Sequence, residues 1–317
     1  MLALLFLVSS CKKEEYALPT PKDTLQNDVL KRTLGPNIAG LTMEFAYAMA
    51  ILPSKGTLTS ASVEASIPGA AGTFLEHRSF YTDGGGVDVP VTVGDPSTTD
   101  HGVTTVNFTV DTFAATLRYY YVVPEEARGK SVSFKFSVTS SNGETATFNM
   151  GPYTVAKMTM KRLIPVSDND LMYISLADMT AYDAATAAAN PEKIDLVYLY
   201  RSFSTSAFNH ALVAPAADAD YLPGVTLPPG VNRDSRLRKV FNLQDFNLAQ
   251  LQFGIYIDDV DFEKIDLAES PNYAINLKGE AGVWVETVDK KYRAYVYINS
   301  VSNGSKSAVI SIKRFEL

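Results

Sequence analysis

The chain has 317 residues, of which 46% are hydrophobic and 20% charged, with a formal net charge of −7. That fits a globular protein of about two domains with a real core, and the acidic balance excludes the basic footprint that nucleic-acid binding requires. Seventeen Tyr and 16 Phe against one Trp point to a β-rich body, and a single cysteine leaves packing alone, without intrachain disulfides, to hold it.

The first element is an apolar run, Leu2 to Val8, closed by Ser9-Ser10-Cys11. It is too short to span a bilayer, which takes about 20 residues, and it has the length and small-residue ending of a signal peptide. No Lys or Arg precedes it, a departure from that pattern. Val8-Ser9-Ser10-Cys11 resembles a bacterial lipobox, which implies cleavage before Cys11 and lipidation of its thiol. Each buried methylene contributes about 0.8 kcal/mol, so several acyl chains on one cysteine would hold the chain on a membrane. Lys12-Lys13-Glu14-Glu15 resembles the export signal of Bacteroidetes lipoproteins. That implies an outer-membrane, lipid-anchored protein displayed on the cell surface; the alternative is a periplasm-facing one. Residues 11–28, polar and broken by Pro19 and Pro21, read as a flexible tether.

From residue 29 to about 157 short apolar stretches alternate with turn residues. Strands are expected at Leu41–Ile51, Thr57–Ile67, Gly72–Tyr81, Val87–Val93, Val103–Val110, Ala115–Val123, Ser131–Thr139 and Glu144–Met150. Val132, Phe134, Phe136 and Val138 alternate with polar residues, and the strand then turns through Asn142-Gly143, a strong hairpin signal. Asp83-Gly84-Gly85-Gly86 marks another turn. The segment Tyr119–Gly143, with its Pro124-to-Gly129 connection, resembles bacterial immunoglobulin-like repeats and implies an immunoglobulin-like β-sandwich.

A boundary falls within Tyr153–Pro165, and residues 158–317 read as a second β-rich, sandwich-like domain with one or two short helices. Asp183 is placed to cap an Ala-rich helix that Pro191 stops. A strand follows at Ile194–Tyr200, then a Pro- and Gly-rich loop over 214–236, then a second short helix at Phe241–Leu251. Ala281–Val288, Tyr292–Asn299 and Ala308–Phe315 read as an antiparallel meander. Leu30–Asn37, Pro124–Gly129, Lys193–Arg201 and Tyr273–Glu286 together resemble a family of Bacteroidetes lipoproteins known as domain of unknown function 4466. That family contributes no catalytic residues to carry over.

No constellation marks an enzyme. His77, His101 and His210 are isolated from one another, without zinc-ligand spacing, and read as ordinary loop or strand-edge residues. Gly84–Gly86 leads into no helix and so makes no phosphate cradle. Asp258, Asp259 and Asp261 form the strongest acidic cluster, a weak calcium candidate lacking the glycine of an EF-type loop. Its other reading is a solvated acidic loop or helix start. No cofactor is implied.

The sharpest candidate is the last hairpin. If Asp289-Lys290 is the turn, Glu286 lies opposite Arg293, Trp284 opposite Tyr295 and Gly282 opposite Tyr297. Trp284, Tyr295 and Tyr297 then share the face opposite the core, beside a Glu286–Arg293 ion pair. Exposed, that face would stack on sugar rings; covered, it would pack against another sheet, a loop or the first domain. The expected function is a non-enzymatic, membrane-anchored surface lipoprotein that binds an external ligand such as glycan. A structural or adhesive protein-interaction role, lipid binding, and a hydrolase with a hidden carboxylate pair are the alternatives.

Overall fold

The computed structural model describes residues 22–204, 207–250 and 254–317. The leader, Cys11 and most of the expected tether lie outside the described residues. Among the described residues no helix is long and apolar enough to cross a membrane. The fold is mainly β and has two domains.

The N-terminal body contains β1 (Gln26–Lys31), β2 (Thr42–Ala50), β3 (Leu58–Ala65), β4 (Phe74–Leu75), β5 (Arg78–Thr82), β6 (Asp88–Thr92), β7 (Thr98–Asp100), β8 (Val103–Asn107), β9 (Ala114–Val122), β10 (Ser131–Ser140) and β11 (Thr145–Thr154). One sheet has the order β1-β2-β9-β4 and the other β11-β10-β3-β8-β7, all antiparallel. The chain changes sheets between β2 and β3 and again on either side of β9, which makes a two-sheet sandwich. Between the sheets Phe45, Tyr47, Tyr119, Tyr121, Phe134 and Phe136 are buried against one another with tilted and edge-on rings, the geometry aromatic quadrupoles favour. The β10–β11 turn uses Gly143 at φ +85°, a left-handed position that glycine takes without steric cost.

Two expectations change here. The tether ends sooner than residue 28, because β1 starts at Gln26 and Leu25 is already buried. The expected strand Gly72–Tyr81 is two strands: β4 joins a main sheet, and β5 pairs with β6 as a separate hairpin. That hairpin lies over the outer face of the β1-β2-β9-β4 sheet. Arg118 on β9 stacks on Phe80 at 4.6 Å and forms ion pairs with Asp88 and, at 2.8 Å, Glu44.

The C-terminal body contains β12 (Thr159–Ser167), β13 (Tyr173–Ser175), β14 (Thr180–Tyr182), α1 (Ala184–Ala189), β15 (Leu196–Arg201), β16 (Asn209–Val213), β17 (Arg236–Val240), α2 (Phe246–Ala249), α3 (Asp259–Lys264), β18 (Tyr273–Leu277), β19 (Gly282–Glu286), β20 (Tyr292–Ser302) and β21 (Ser307–Glu316). Asp183 caps α1, its carboxylate accepting the Thr186 amide at 2.7 Å. Pro165 falls in β12, an edge strand, where a missing N–H is tolerated. Two sheets, β12-β21-β20-β19-β17 and β14-β13-β15-β16-β18, face each other across an aliphatic core that includes Val283, Val285, Val296, Ile310 and Ile312.

Both sheets are also covered on their outer faces. Over β15 and β16 lie Ala187 of α1 and Leu222 and Val231 of the 214–236 segment, so that segment is a packed cover rather than a free loop. Over β19–β21 lie Leu248 of α2, Ile257, and Phe262 of α3. The N-terminal body reaches this second cover, since Ile38 is buried within it.

Candidate functional site

The hairpin register is the one derived from the sequence: Glu286 pairs with Arg293, Trp284 with Tyr295, and Gly282 with Tyr297. Its aromatic face is nevertheless closed. Trp284 is 5% exposed, Tyr295 0% and Tyr297 3%. Phe262 of α3 meets Trp284 edge-on at 5.3 Å and stacks on Phe315 at 5.8 Å. Gly282 explains how the rings fit, since a Cβ there would lie 1.9 Å from the Tyr295 hydroxyl oxygen.

The polar groups of the face serve the cover. The Tyr295 hydroxyl donates to the Leu243 carbonyl. Arg293 pairs with Glu286 at 2.7 Å and donates to the carbonyls of Phe262 at 2.6 Å and Glu263 at 3.1 Å, at the C-terminal end of α3. Lys313, on the neighbouring strand opposite Tyr295, is 0% exposed. Its ammonium donates to Asp245 Oδ2 at 2.6 Å, Asn247 Oδ1 at 3.0 Å and the Ile257 carbonyl at 2.8 Å. Asp245 in turn accepts the amides of Leu248 and Ile257. Burial pushes the Lys313 ammonium below its ordinary range, against the opposing pull of Asp245. Trp284, Tyr295, Tyr297, Glu286 and Arg293 are thus brought together as expected, but as the floor of an internal interface and not as an open sugar-binding face. Alternation could place them on one side of the sheet; it could not show what packs there.

Beside this cover, a cleft of about 830 Å³ opens between the two bodies. One wall is the Arg32–Leu41 connection of the N-terminal body; the other is built from Arg162 and the rim of α2. Phe246 and Tyr256 contribute an aromatic pair with ring centroids 5.0 Å apart. Asn37, Asn247 and Gln250 add amides. Gly35, at φ +80°, lets the Tyr256 ring lie against the backbone, since a Cβ there would come within 2.3 Å of it. None of the lining residues is acidic. Most of the stretch Leu30–Asn37, read in the sequence as a family feature, lines this cleft.

The comparisons meet this geometry at the same two bodies. A family model described as domain of unknown function DUF4466 matches residues 22–155, and one described as domain of unknown function DUF8576 matches residues 156–317. The crystal structure of a DUF4466 family protein from Parabacteroides merdae shares 46% identity, covers 94% of this chain and 100% of its own, and superposes with a TM-score of 0.88. The chain belongs to the DUF4466 family. The major pilin subunit of Bacillus cereus aligns over 90% of this chain and 62% of its own, at 10% identity and a TM-score of 0.30. An exo-β-N-acetylglucosaminidase from Vibrio harveyi aligns over 53% of this chain and 27% of its own, at 8% identity and a TM-score of 0.20. Nothing about fold or function follows from either of these two. No curated protein matches the chain.

In this DUF4466 chain the acidic cluster is a helix start, the second of the two readings drawn from the sequence. Asp258 caps α3 and accepts the amides of Val260 and Asp261, while Asp261 accepts the Asp258 amide in return. This is a reciprocal capping box. Asp259 reaches across to accept the amides of Lys157 at 2.7 Å and Met158 at 3.1 Å. The three carboxylates therefore bind backbone N–H groups instead of converging, and no metal-holding group of three such side chains occurs among the described residues. Carboxylates do meet in pairs elsewhere, Glu44 with Asp88 on Arg118 and Asp195 with Asp289 on Arg233, but each pair is ion-paired to its arginine.

The histidines separate. His101 is 92% exposed at its side chain, and His77 lies 3.2 Å from Glu76. His210 is not the loop or strand-edge residue expected. It is buried on β16, with the Tyr198 hydroxyl 2.7 Å from Nδ1 and Asn303 Oδ1 2.8 Å from Nε2. Sequence spacing gave no sign of it, because β15, β16 and the β20–β21 loop bring those partners in from far along the chain.

Proposed function

We propose that this protein is a non-enzymatic, lipid-anchored lipoprotein of the cell surface that captures an external glycan in the cleft between its two bodies. The observation that carries the reading is the make-up of that cleft. It is concave, and an aromatic pair, Phe246 and Tyr256, stands beside the amides of Asn37, Asn247 and Gln250. Aromatic faces offer sugar C–H surfaces an apolar platform, and side-chain amides fix ring orientation through hydrogen bonds. The anchor rests on the apolar leader that ends at Cys11 and the polar tether after it.

Two measurements test this. Cys11→Ala should move the folded protein from the membrane fraction to soluble material; a variant that stays membrane-bound would remove the anchor. On an array of neutral and acidic glycans, the soluble Cys11→Ala protein should retain at least one. Tyr256→Ala should then weaken that glycan about two- to tenfold, in line with the roughly 0.5–1.5 kcal/mol that an aromatic contact contributes. An array with no retained glycan would overturn the capture reading.

A further inference from the structure

We infer that the glycan held in the interdomain cleft carries a negative charge, a carboxylate or a sulfate ester, and that Arg162 is the residue that reads it. The inference rests on the capture reading above and adds the ligand's chemical class.

The first ground is charge distribution. The chain has a formal net charge of −7, yet the cleft wall holds two arginines, Arg32 and Arg162, and no Asp or Glu. A cleft of one sign in a molecule of the other selects anions, because low-dielectric walls focus the field of the charges lining it. The two arginines are not equivalent. Arg32 is held by Glu44 at 3.0 Å, and Glu44 also pairs with Arg118. Arg162 is exposed and has no carboxylate partner among the described residues. Its charge faces the cleft uncompensated.

The second ground is the backbone that presents it. Arg162 lies in the irregularity of β12 where pairing to β21 slips between Lys161 and Ile164. Leu163, the next residue, takes φ +57° and is 56% exposed, while its amide donates to Ser311 Oγ at 3.0 Å. A left-handed leucine is uncommon and unfavourable, and neither a buried side chain nor a glycine accounts for it here. A bulge of this kind breaks the period of two and re-aims one side chain. On a regular β12, Arg162 would follow strict alternation along the edge. Arg162 lines the cleft at this irregularity, where a guanidinium can make two parallel hydrogen bonds to a carboxylate or sulfate.

The test is calorimetry on the full-length Cys11→Ala protein with four probes: tri-galacturonate, its methyl ester, N-acetylgalactosamine 6-sulfate and unsulfated N-acetylgalactosamine. Charge-assisted hydrogen bonds contribute about 1.5–3 kcal/mol, so one anionic probe should bind at least about tenfold tighter than its neutral counterpart at 50 mM NaCl. The advantage should shrink at 0.5 M. Tri-galacturonate leading identifies a carboxylate, and N-acetylgalactosamine 6-sulfate, which carries no carboxylate, a sulfate. Arg162→Ala should collapse the acid-to-neutral ratio towards one, Arg162→Lys should keep part of it, and unchanged Trp284 emission would show that the variants fold. Equal binding of charged and neutral probes, or a ratio that survives Arg162→Ala, overturns this inference and leaves glycan capture standing. No binding by either anionic probe overturns this inference, and the glycan array alone decides the capture reading.

Discussion

The two bodies are both built on paired antiparallel sheets, yet their strands bury differently. In β10 of the N-terminal sandwich, inward residues are buried and most residues between them partly or fully exposed, so the strand alternates along its length. In the C-terminal body all five residues of β19 are buried, as are the first four of β15. The first pattern belongs to a sheet with one face on the core and one towards water, and the second to a sheet covered on both faces. Period two reports which side of a sheet a residue occupies, and only in the first kind of sheet is the other side open to solvent. The candidate ligand face of Trp284, Tyr295 and Tyr297 failed at this step: its side was right and its exposure was not.

The largest test of this difference is the ion pair beneath the second cover. Lys313→Met leaves Asp245 buried without its counter-ion, for which the expected loss is about 3–5 kcal/mol in urea unfolding. The matching change on the sandwich surface, Arg128→Ala, breaks a pair with Glu125, which is 69% exposed at its side chain, and should cost no more than about 1 kcal/mol. Trp284 emission adds a second readout. In the native protein it should lie at short wavelength and resist an aqueous quencher; if Lys313→Met loosens the cover it should move red. Emission already at long wavelength in the native protein, or equal costs for the two variants, would mean that the outer face is not sealed.

Much of the N-terminal body was legible because its signals are local. Alternation in Val132–Val138, the Asn142-Gly143 turn and the Pro124–Gly129 connection each sit within a few residues of the element they specify. The Asp183 cap and the register of the last hairpin were legible for the same reason, although that hairpin turns over Thr287–Lys290 and not through a two-residue Asp289-Lys290 turn. What escaped is long-range. Arg293 reaches Phe262, Lys313 reaches Asp245, and Asp259 reaches Lys157, each across many residues of chain. The interdomain cleft was beyond reach for the same reason, since its walls come from residues near 32–43 and near 246–256. His210 was misjudged because its partners are side chains brought in by other elements, which leave no spacing to read, whereas the helix-start reading of the acidic run rested on local signals and agrees with the structure.

A middle-sized effect separates a packed glycine from an open one. Gly282→Ala places a Cβ against the Tyr295 ring, and such overpacking costs typically about 1–3 kcal/mol. Tyr295→Leu in the same chain should recover part of the loss, because it removes the atoms the Cβ meets. Gly304→Ala, where a Cβ meets nothing within 4 Å, should change stability by no more than about 0.5 kcal/mol. If the first substitution proves as mild as the second, β19 can shift away from the cover, and the face is less tightly closed than its burial implies.

The smallest effect is a slope with pH between 7.5 and 5.5, to which His210 and Asp195 of the C-terminal body contribute. His210 is sealed between the Tyr198 hydroxyl and Asn303, and Tyr200 lies against its ring at 4.6 Å. With Asn303 Oδ1 as acceptor, Nε2 carries the proton and Nδ1 accepts from Tyr198, an assignment that follows from the bonding network. Burial pushes the imidazole below its ordinary value, while the Asn303 bond pulls it partly back. The unfolded chain therefore takes up a proton at a higher pH than the folded one does. The stability tied to His210 is complete above about pH 6.5 and is lost as pH falls from there through the lowered folded value. Asp195 works in the opposite sense. Burial, against the opposing pulls of the Leu176 amide and Arg233, pushes it up to about 6, so its contribution is lost as pH rises through that value. Comparing the native protein with His210→Gln cancels the Asp195 part. The variant should be less stable at pH 7.5 but should lose less on going to pH 5.5, measured as the shift in urea midpoint. Parallel curves for the two proteins would mean that His210 titrates freely, and that the inner face of this sheet admits water where the sandwich core does not.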